Sequence, residues 1–511
     1  MSIESELSPV VRELLDAVGY EQDPPQSRRV FTNRDLDLDT IQVVGFDMDY
    51  TLARYRRRSL DALTIEKTVE KLVGRGYPEE LQSLQYDPEF AIRGLVVDRH
   101  LGNILKMDRH GYVGRAYHGR GLLGREERKF IYRAQRVGQE KDRFFYVDTM
   151  FSLPEMSIYA AVVDMIDRHP ERWPGGAPSY SEAFADTRDS VDRCHQDDTI
   201  KAAIKSDPEA FIRDDTELAL ALHKLRKAGK RLFLLTNSYA RFSDAVLGHL
   251  LNGRIDGYPH WTDYFDWMVM GSKKPQFFTE TKFFQEVDRD DRELGDAVAV
   301  PEMGKTYVHG SQAGLQRAMN VEPDEVLYVG DHIYGDVVKS KKSSGWRTVL
   351  VVAELEHEIS MRTSWRTEVA EIEMLSDLRE QVEEDISRQR HFLQGLGRAE
   401  ETVEGLHGLD GEDAASQLRS LHVDANDRLT RLRAHEAELT ATLDARIAQV
   451  DHAFNPYWGS LFAERRDASM FGAQVENFAC LYTSRVSNFL HVSPVRYFHA
   501  PHGSMPHWKV R

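Results

Sequence analysis

The sequence predicts an α/β protein: a Rossmann-like, mostly parallel sheet core, interrupted by a large inserted domain and followed by a helical hairpin. Two observations lead there. Short apolar runs bounded by turn residues recur as IQVVGF (41–46), RLFLLT (231–236), DWMVM (266–270), EVLYVG (325–330) and RTVLVV (347–352), each reading as a strand buried on both faces. Helical patterns precede two of them, TELALALHKLRKAGK before the second and AGLQRAMN before the fourth, as in a sheet wound by crossover helices.

Residues 1–51 form the first part of the core and end just past the first strand. The stretch 52–211 is too long for a connection and is rich in Arg and Tyr, so it reads as an inserted cap domain. Residues 212–355 complete the core. Charged helical sequence then takes over in 356–455, where Leu429, Leu432, Leu439, Leu443, Ile447 and Val450 keep mostly three- and four-residue steps. An antiparallel helical hairpin is expected there, with the glycine-rich join QGLGRAEETVEGLHGLDGED as its mobile tip. The aromatic stretch 456–511 is expected to pack back on the core.

Composition narrows the function classes. With 66 basic against 83 acidic residues, the net charge of -17 opposes binding to a nucleic-acid polymer or an anionic membrane, so any anion site has to be locally basic. The first twenty residues lack a basic region followed by an apolar stretch, and nowhere do 18 consecutive apolar residues occur. Only Cys194 and Cys480 are present, which excludes a disulfide framework and a four-cysteine zinc site. A cytoplasmic location is expected.

The chemistry lies at the strand ends, where ligands bind in a parallel sheet. GFDMDYT puts Asp47 and Asp49 past the first strand; alone, this would read as a solvated turn or a helix N-cap. LLTNS adds Thr236, Asn237 and Ser238 past the second, GSKKP adds Lys274 past the third, and YVGDHIYGD adds Asp331 and Asp336 past the fourth. Carboxylates suit a hard divalent cation, and a lysine with hydroxyl groups suits phosphoryl oxygens.

These motifs, in this order, resemble those of the haloacid dehalogenase superfamily of phosphotransferases. The resemblance implies a nucleophilic Asp47 that forms an aspartyl-phosphate, with Asp49 protonating the leaving oxygen and then activating water. It also implies Mg2+ held by Asp47, the main-chain carbonyl of Asp49, and Asp331, with Asp336 nearby, while Thr236 and Lys274 hold phosphoryl oxygens.

GFDMDYTLARY, GYPEEL, TMFSLPE, TNSYARF, KKPQFF, GDHIYGDVVKSKK with GWRT, and a late MPH are similar to the cytosolic purine 5'-nucleotidases that prefer IMP and GMP. That likeness implies a purine nucleoside 5'-monophosphate as substrate, Phe151 stacking on its base, and Arg188, Asp192 and His195 facing it from one side of a helix. Ser152 stands where better-known members carry asparagine, and Lys201 matches a cap lysine that approaches the phosphate. An arginine and a carboxylate complement O6 and N1 of hypoxanthine or guanine, whereas adenine reverses both groups. Phosphoryl transfer to another nucleoside, and a homo-oligomer, dimer or tetramer, are further expectations.

His332 and Tyr334 are expected to line the site or a neighbouring pocket. Asp148 and Phe478 depart from the family pattern around its effector site, and an acidic group where phosphate should bind argues against the same effectors. KSKK (339–342) reads as the basic end of a helix that Gly345 terminates. Two readings compete with the nucleotidase: a phosphatase of the same superfamily acting on another small phosphorylated metabolite, and a catalytically inactive scaffold protein.

Overall fold

The structure is a computed structural model describing residues 24–500 apart from 134–136, 138, 139, 141, 174, 339, 341–343, 404–408 and 466. The first twenty residues, the lysines of KSKK, the MPH segment and the Tyr334 side chain lie outside the described residues. The chain divides into two compact units, Met1–Ser360 with Ser460–Arg511, and Met361–Gly459.

In the first unit, β1 (Phe31–Thr32) and β2 (Val43–Phe46) precede helix α1 (Arg57–Gly74). Then come β3 (Val96–Asp98), β4 (Asn103–Met107), β5 (Val113–His118), β6 (Gly121–Leu122), α2 (Arg125–Tyr132) and β7 (Phe144–Tyr146). These five strands make a separate antiparallel sheet in the order β6-β5-β4-β3-β7. Helices α3 (Leu153–Arg168), α4 (Tyr180–Gln196) and α5 (Thr199–Ser206) follow, α4 opened by a capping box between Ser179 and Glu182.

Helix α6 (Leu218–Lys227) leads into β8 (Arg231–Leu235), followed by β9 (Trp267–Met270), β10 (Phe284–Val287), β11 (Glu293–Val298) and β12 (Thr306–His309). Helix α7 (Gln312–Met319), β13 (Val326–Gly330), a π-helical turn (Ile333–Val338) and β14 (Arg347–Val351) complete this stretch. The principal sheet has ten strands in the order β1-β15-β14-β13-β2-β8-β9-β12-β10-β11, where β15 (Leu481–Thr483) comes from the far end of the chain. From β15 across to β12 every pair is parallel; β1, β10 and β11 are antiparallel additions.

All five apolar runs are strands of this sheet. The sequence pattern does not reveal β10 and β11, because β11 is almost wholly exposed and so carries no apolar run. Packing at the centre is close: a Cβ on Gly45 would stand 2.0 Å from the Phe233 ring. That ring stacks on Tyr328 at 6.0 Å and meets Trp346 edge-on at 5.6 Å.

The register aligns the active edge. Phe46 lies opposite Val329 on one side and Leu234 on the other, so the residues that follow β2, β8 and β13 emerge together. On the opposite flank, Phe471 and Val475 of helix α10 (Met470–Phe478) pack with Leu350, Val352, Phe462 and Tyr482.

In the second unit α8 (Arg366–Val403) and α9 (Leu409–Phe454) pair through Val382, Ile386, Leu429 and Leu439. Gln389 donates to the Ala425 carbonyl and Arg446 faces Glu371, a register that only antiparallel helices give. The helices run further than expected, with Gly395 and Gly397 inside α8; the tip at 404–408 lies outside the described residues. No described helix is long and apolar enough to cross a membrane.

Candidate active site

Asp47 is the first residue past β2, and its N–H donates to the Val329 carbonyl at 2.9 Å, continuing the ladder to β13. Its Oδ1 accepts from the Met48 N–H at 2.8 Å and lies 2.9 Å from Lys274 Nζ. Lys274 Nζ also donates to Asp336 Oδ1 at 2.8 Å and to the Tyr328 hydroxyl at 2.9 Å. The π-helical turn brings Asp336 back under β13, which only glycine permits: a Cβ on Gly330 would stand 2.5 Å from Asp336 Oδ2. Asp331 is 5% exposed, and its Oδ2 has no hydrogen-bond partner among the described residues.

Carboxylate oxygens of Asp47, Asp331 and Asp336 lie within 4.8 Å of one another. One lysine cannot neutralise three buried carboxylates. Burial pushes Asp47 up to about 7, with Lys274 opposing and Asp336 and Asp49 reinforcing the shift. Asp331 rises well above the usual carboxylate range through burial and the charges of Asp336 and Asp47. Burial alone would lower Lys274, but Asp336 and Asp47 raise it. The unpartnered Asp331 oxygen and this excess of negative charge fit a divalent cation with oxygen ligands.

Asp49 is held apart from that cluster. Tyr55 donates to its Oδ1 at 2.6 Å and Ser238 to its Oδ2 at 2.7 Å; burial raises its pKa against both bonds. Thr236 is fully buried and its hydroxyl accepts the Ser238 N–H at 3.1 Å. The Asn237 amide braces the lysine loop, with Oδ1 accepting from the Lys274 N–H at 2.6 Å and Nδ2 donating to the Lys274 carbonyl at 3.1 Å.

A cavity of about 150 Å³ is lined by Asp47, Asp49, Phe151, Asn237, Lys274, Asp331, His332 and Asp336, among others. Thr236, Ser238, Ser152, Lys201, Arg188, Asp192 and His195 are not among its described lining residues. Ser238 and Lys201 still act on Asp49, by a hydrogen bond and by charge. Phe151 packs edge-on against Tyr50 at 4.8 Å and His195 at 5.5 Å. Burial and the charge of Lys201 hold His195 down at about 4, and its Nε2 is buried without a partner among the described residues.

Ser152 is buried in the turn that starts α3. Arg188 lies over Phe145 and 3.3 Å from Glu155, which burial lifts to about 7 against the pull of Arg188. Asp192 is exposed one helical turn further on. His332 Nε2 lies 3.6 Å from Asp148.

The motifs do not reveal Tyr55, Tyr328 or Arg93. Arg93 is 1% exposed; its Nη1 donates to the Asp331 carbonyl at 2.9 Å, and Nε and Nη2 grip Glu354 at 2.9 and 2.5 Å. Tyr55 closes the run GFDMDYTLARY, so its place near Asp49 has some sequence signal; Arg93 has none.

A buried carboxylate cluster with a lysine, at the carboxyl edge of a parallel sheet, marks a candidate catalytic site. The chain belongs to the 5' nucleotidase family, whose model matches residues 30–509, and is by that membership a hydrolase of the 5'-nucleotidase class. It is similar to a 5'-nucleotidase domain-containing protein of Dictyostelium discoideum, 30% identical over 475 residues that cover 90% of this chain and 71% of the relative.

Proposed function

We propose that this chain is a Mg2+-dependent 5'-nucleotidase of the haloacid dehalogenase superfamily that hydrolyses purine nucleoside 5'-monophosphates, IMP and GMP foremost. The observation that supports it most is the convergence of Asp47, Asp331 and Asp336 on Lys274, with Asp49 poised separately beside the same cavity.

An Asp47 oxygen attacks phosphorus, the bond from phosphorus to the 5'-oxygen breaks, and an aspartyl-phosphate forms. Asp49, whose pKa burial raises, gives a proton to the departing 5'-oxygen. It then takes a proton from water, which attacks the same phosphorus, releasing phosphate and restoring Asp47. Tyr55 and Ser238 fix the direction in which Asp49 works. Lys274 and groups of the 236–238 turn bind phosphoryl oxygens, and Lys201 adds positive charge from α5. Asp47, the Asp49 carbonyl and Asp331, with Asp336 alongside, would hold Mg2+, which would supply positive charge against the phosphate and the carboxylates.

Phe151 and His195 enclose the base, Arg188 and Asp192 read its O6 and N1 edge, and Ser152 lies beside them. The stretch 52–211 acts as the cap that carries this recognition. Transfer of the phosphoryl group to a second nucleoside follows if the aspartyl-phosphate outlives departure of the first. Self-association of the chain is part of the same reading.

Phosphate release from IMP, GMP, AMP and sugar phosphates, with and without Mg2+, tests the proposal. Faster turnover of IMP and GMP than of AMP supports it. Equal rates for IMP and AMP reject the base reading, and turnover of sugar phosphates alone rejects the nucleotide.

A further inference from the structure

Tyr328 sits in the middle of β13, fully buried, and is not among the described lining residues of the cavity at Asp47. Its neighbour across the sheet is Gly45 of β2, and Gly45 in turn faces Phe233 of β8. The Phe233 ring fills the space where a side chain on Gly45 would stand, and Tyr328 stacks on that ring with the planes only 6° apart. The Tyr328 hydroxyl thereby reaches the Leu235 carbonyl of β8 at 3.2 Å, two strands from its own backbone. The motif GFDMDYT thus carries a packing requirement beside its two carboxylates.

That reach also brings the hydroxyl to Lys274. The ammonium has three N–H groups and three described acceptors: Asp47 Oδ1 at 2.9 Å, Asp336 Oδ1 at 2.8 Å and the Tyr328 hydroxyl at 2.9 Å. Two of the three have other work in the proposed reaction. Asp47 is the group that becomes phosphorylated, and Asp47 and Asp336 both belong to the carboxylate cluster suited to a divalent ion. Of the described acceptors, the Tyr328 hydroxyl alone is neutral and outside that cluster. Its single proton faces the Leu235 carbonyl, with Asp336 Oδ1 at 3.3 Å as a second acceptor, which leaves its lone pairs for Lys274.

We infer that Tyr328 is a positioning residue, whose hydroxyl keeps the Lys274 ammonium in one place while Asp47 changes partners, so that the N–H released by Asp47 is aimed at the phosphoryl group. A lysine ends a flexible four-carbon stem, and a buried acceptor that stays constant spares the cost of ordering it anew at each step. Leu235 directly precedes Thr236, so the same hydroxyl ties the lysine to the root of the 236–238 turn. This role rests on the phosphate reading of the site given above and deepens it.

The test compares Tyr328→Phe, which keeps the stacked ring, with Trp346→Phe, which loosens the packing against that ring and leaves the hydroxyl. The full chain is titrated with inorganic phosphate in the presence of Mg2+ by calorimetry, and hydrolysis of 4-nitrophenyl phosphate, an ester with no base to recognise, is followed alongside. In Tyr328→Phe, phosphate binding is expected to weaken roughly tenfold, and kcat/KM for the ester to fall by a similar factor, with an unchanged circular dichroism spectrum. Trp346→Phe is expected to lower Tm while both quantities stay within about twofold of the wild type. Phosphate binding by Tyr328→Phe that matches the wild type overturns the positioning role. An equal loss in Trp346→Phe also overturns it, by assigning the effect to packing of the ring. A wild type that binds no phosphate removes the phosphate reading itself, and the role of Tyr328 with it; no variant is needed to see that outcome.

Discussion

Arg93 donates from Nη1 to the main-chain carbonyl of Asp331 at 2.9 Å, across 238 positions of sequence. A side chain from the stretch between β2 and β8 thus fixes the loop that carries an acidic residue of the site. Arg93→Met leaves Glu354 without its counter-charge and lowers stability by on the order of 3 kcal/mol, read as a fall in Tm. Arg93→Lys keeps a charge near Glu354 but loses the fork. It is expected to fold and to need several-fold more Mg2+ for half-maximal activity; an unchanged Mg2+ requirement removes Arg93 from the proposed metal loop.

Asp47→Asn is expected to reduce phosphate release from IMP by about a thousandfold or more while circular dichroism stays that of the wild type. Activity within tenfold of the wild type rejects Asp47 as nucleophile.

Tyr55→Phe removes one of two donors to Asp49. Loss of a hydrogen bond to a charged group is worth about 1.5–3 kcal/mol, so kcat falls roughly ten- to hundredfold. Because the donor favours the ionised carboxylate, its loss raises the Asp49 pKa, and the alkaline limb of the pH profile, set by a group that must enter the reaction protonated, moves upward. A fall in kcat with no movement of that limb points to simple loss of packing.

The carboxylate cluster makes stability depend on pH in a stated direction. Burial lifts Asp47 to about 7 and raises Asp331 well above the usual carboxylate range, so the folded chain without a divalent ion holds protons that the unfolded chain releases above about pH 4. Their contribution is full at low pH and is lost as pH climbs from about 4 through 7. Mg2+ should therefore raise Tm more at pH 8 than at pH 5.5, and EDTA should erase the gain. Equal gains at both pH values contradict the cation assignment.

Selectivity tests the helix α4 reading. Arg188→Ala is expected to lower kcat/KM for IMP roughly ten- to hundredfold, about 1.4–3 kcal/mol, and to change AMP little. A matching loss on both substrates makes Arg188 a structural partner of Glu155 alone.

The legible part of the site was the part written at strand ends. Asp47, Lys274, Asp331 and Asp336 each follow an apolar run, and the parallel register delivers them to one edge. Arg93 and Tyr328 were not legible, since their roles come from partners that only the finished fold supplies. Gly395 and Gly397 misled in the other direction. Each costs about 1 kcal/mol in a helix interior, yet α8 continues through both because pairing with α9 outweighs the local preference.

The placement of β15 constrains how the protein can be made. Thr348 at the start of β14 and Cys480 at the start of β15 are neighbours, 132 positions apart. During synthesis β14 emerges long before the strand that will cover its outer side, leaving an apolar ribbon edge unprotected for that interval. A chain broken off anywhere between these two strands keeps every acidic residue of the Asp47 site but presents that raw border to other molecules, and so is destined for the insoluble fraction.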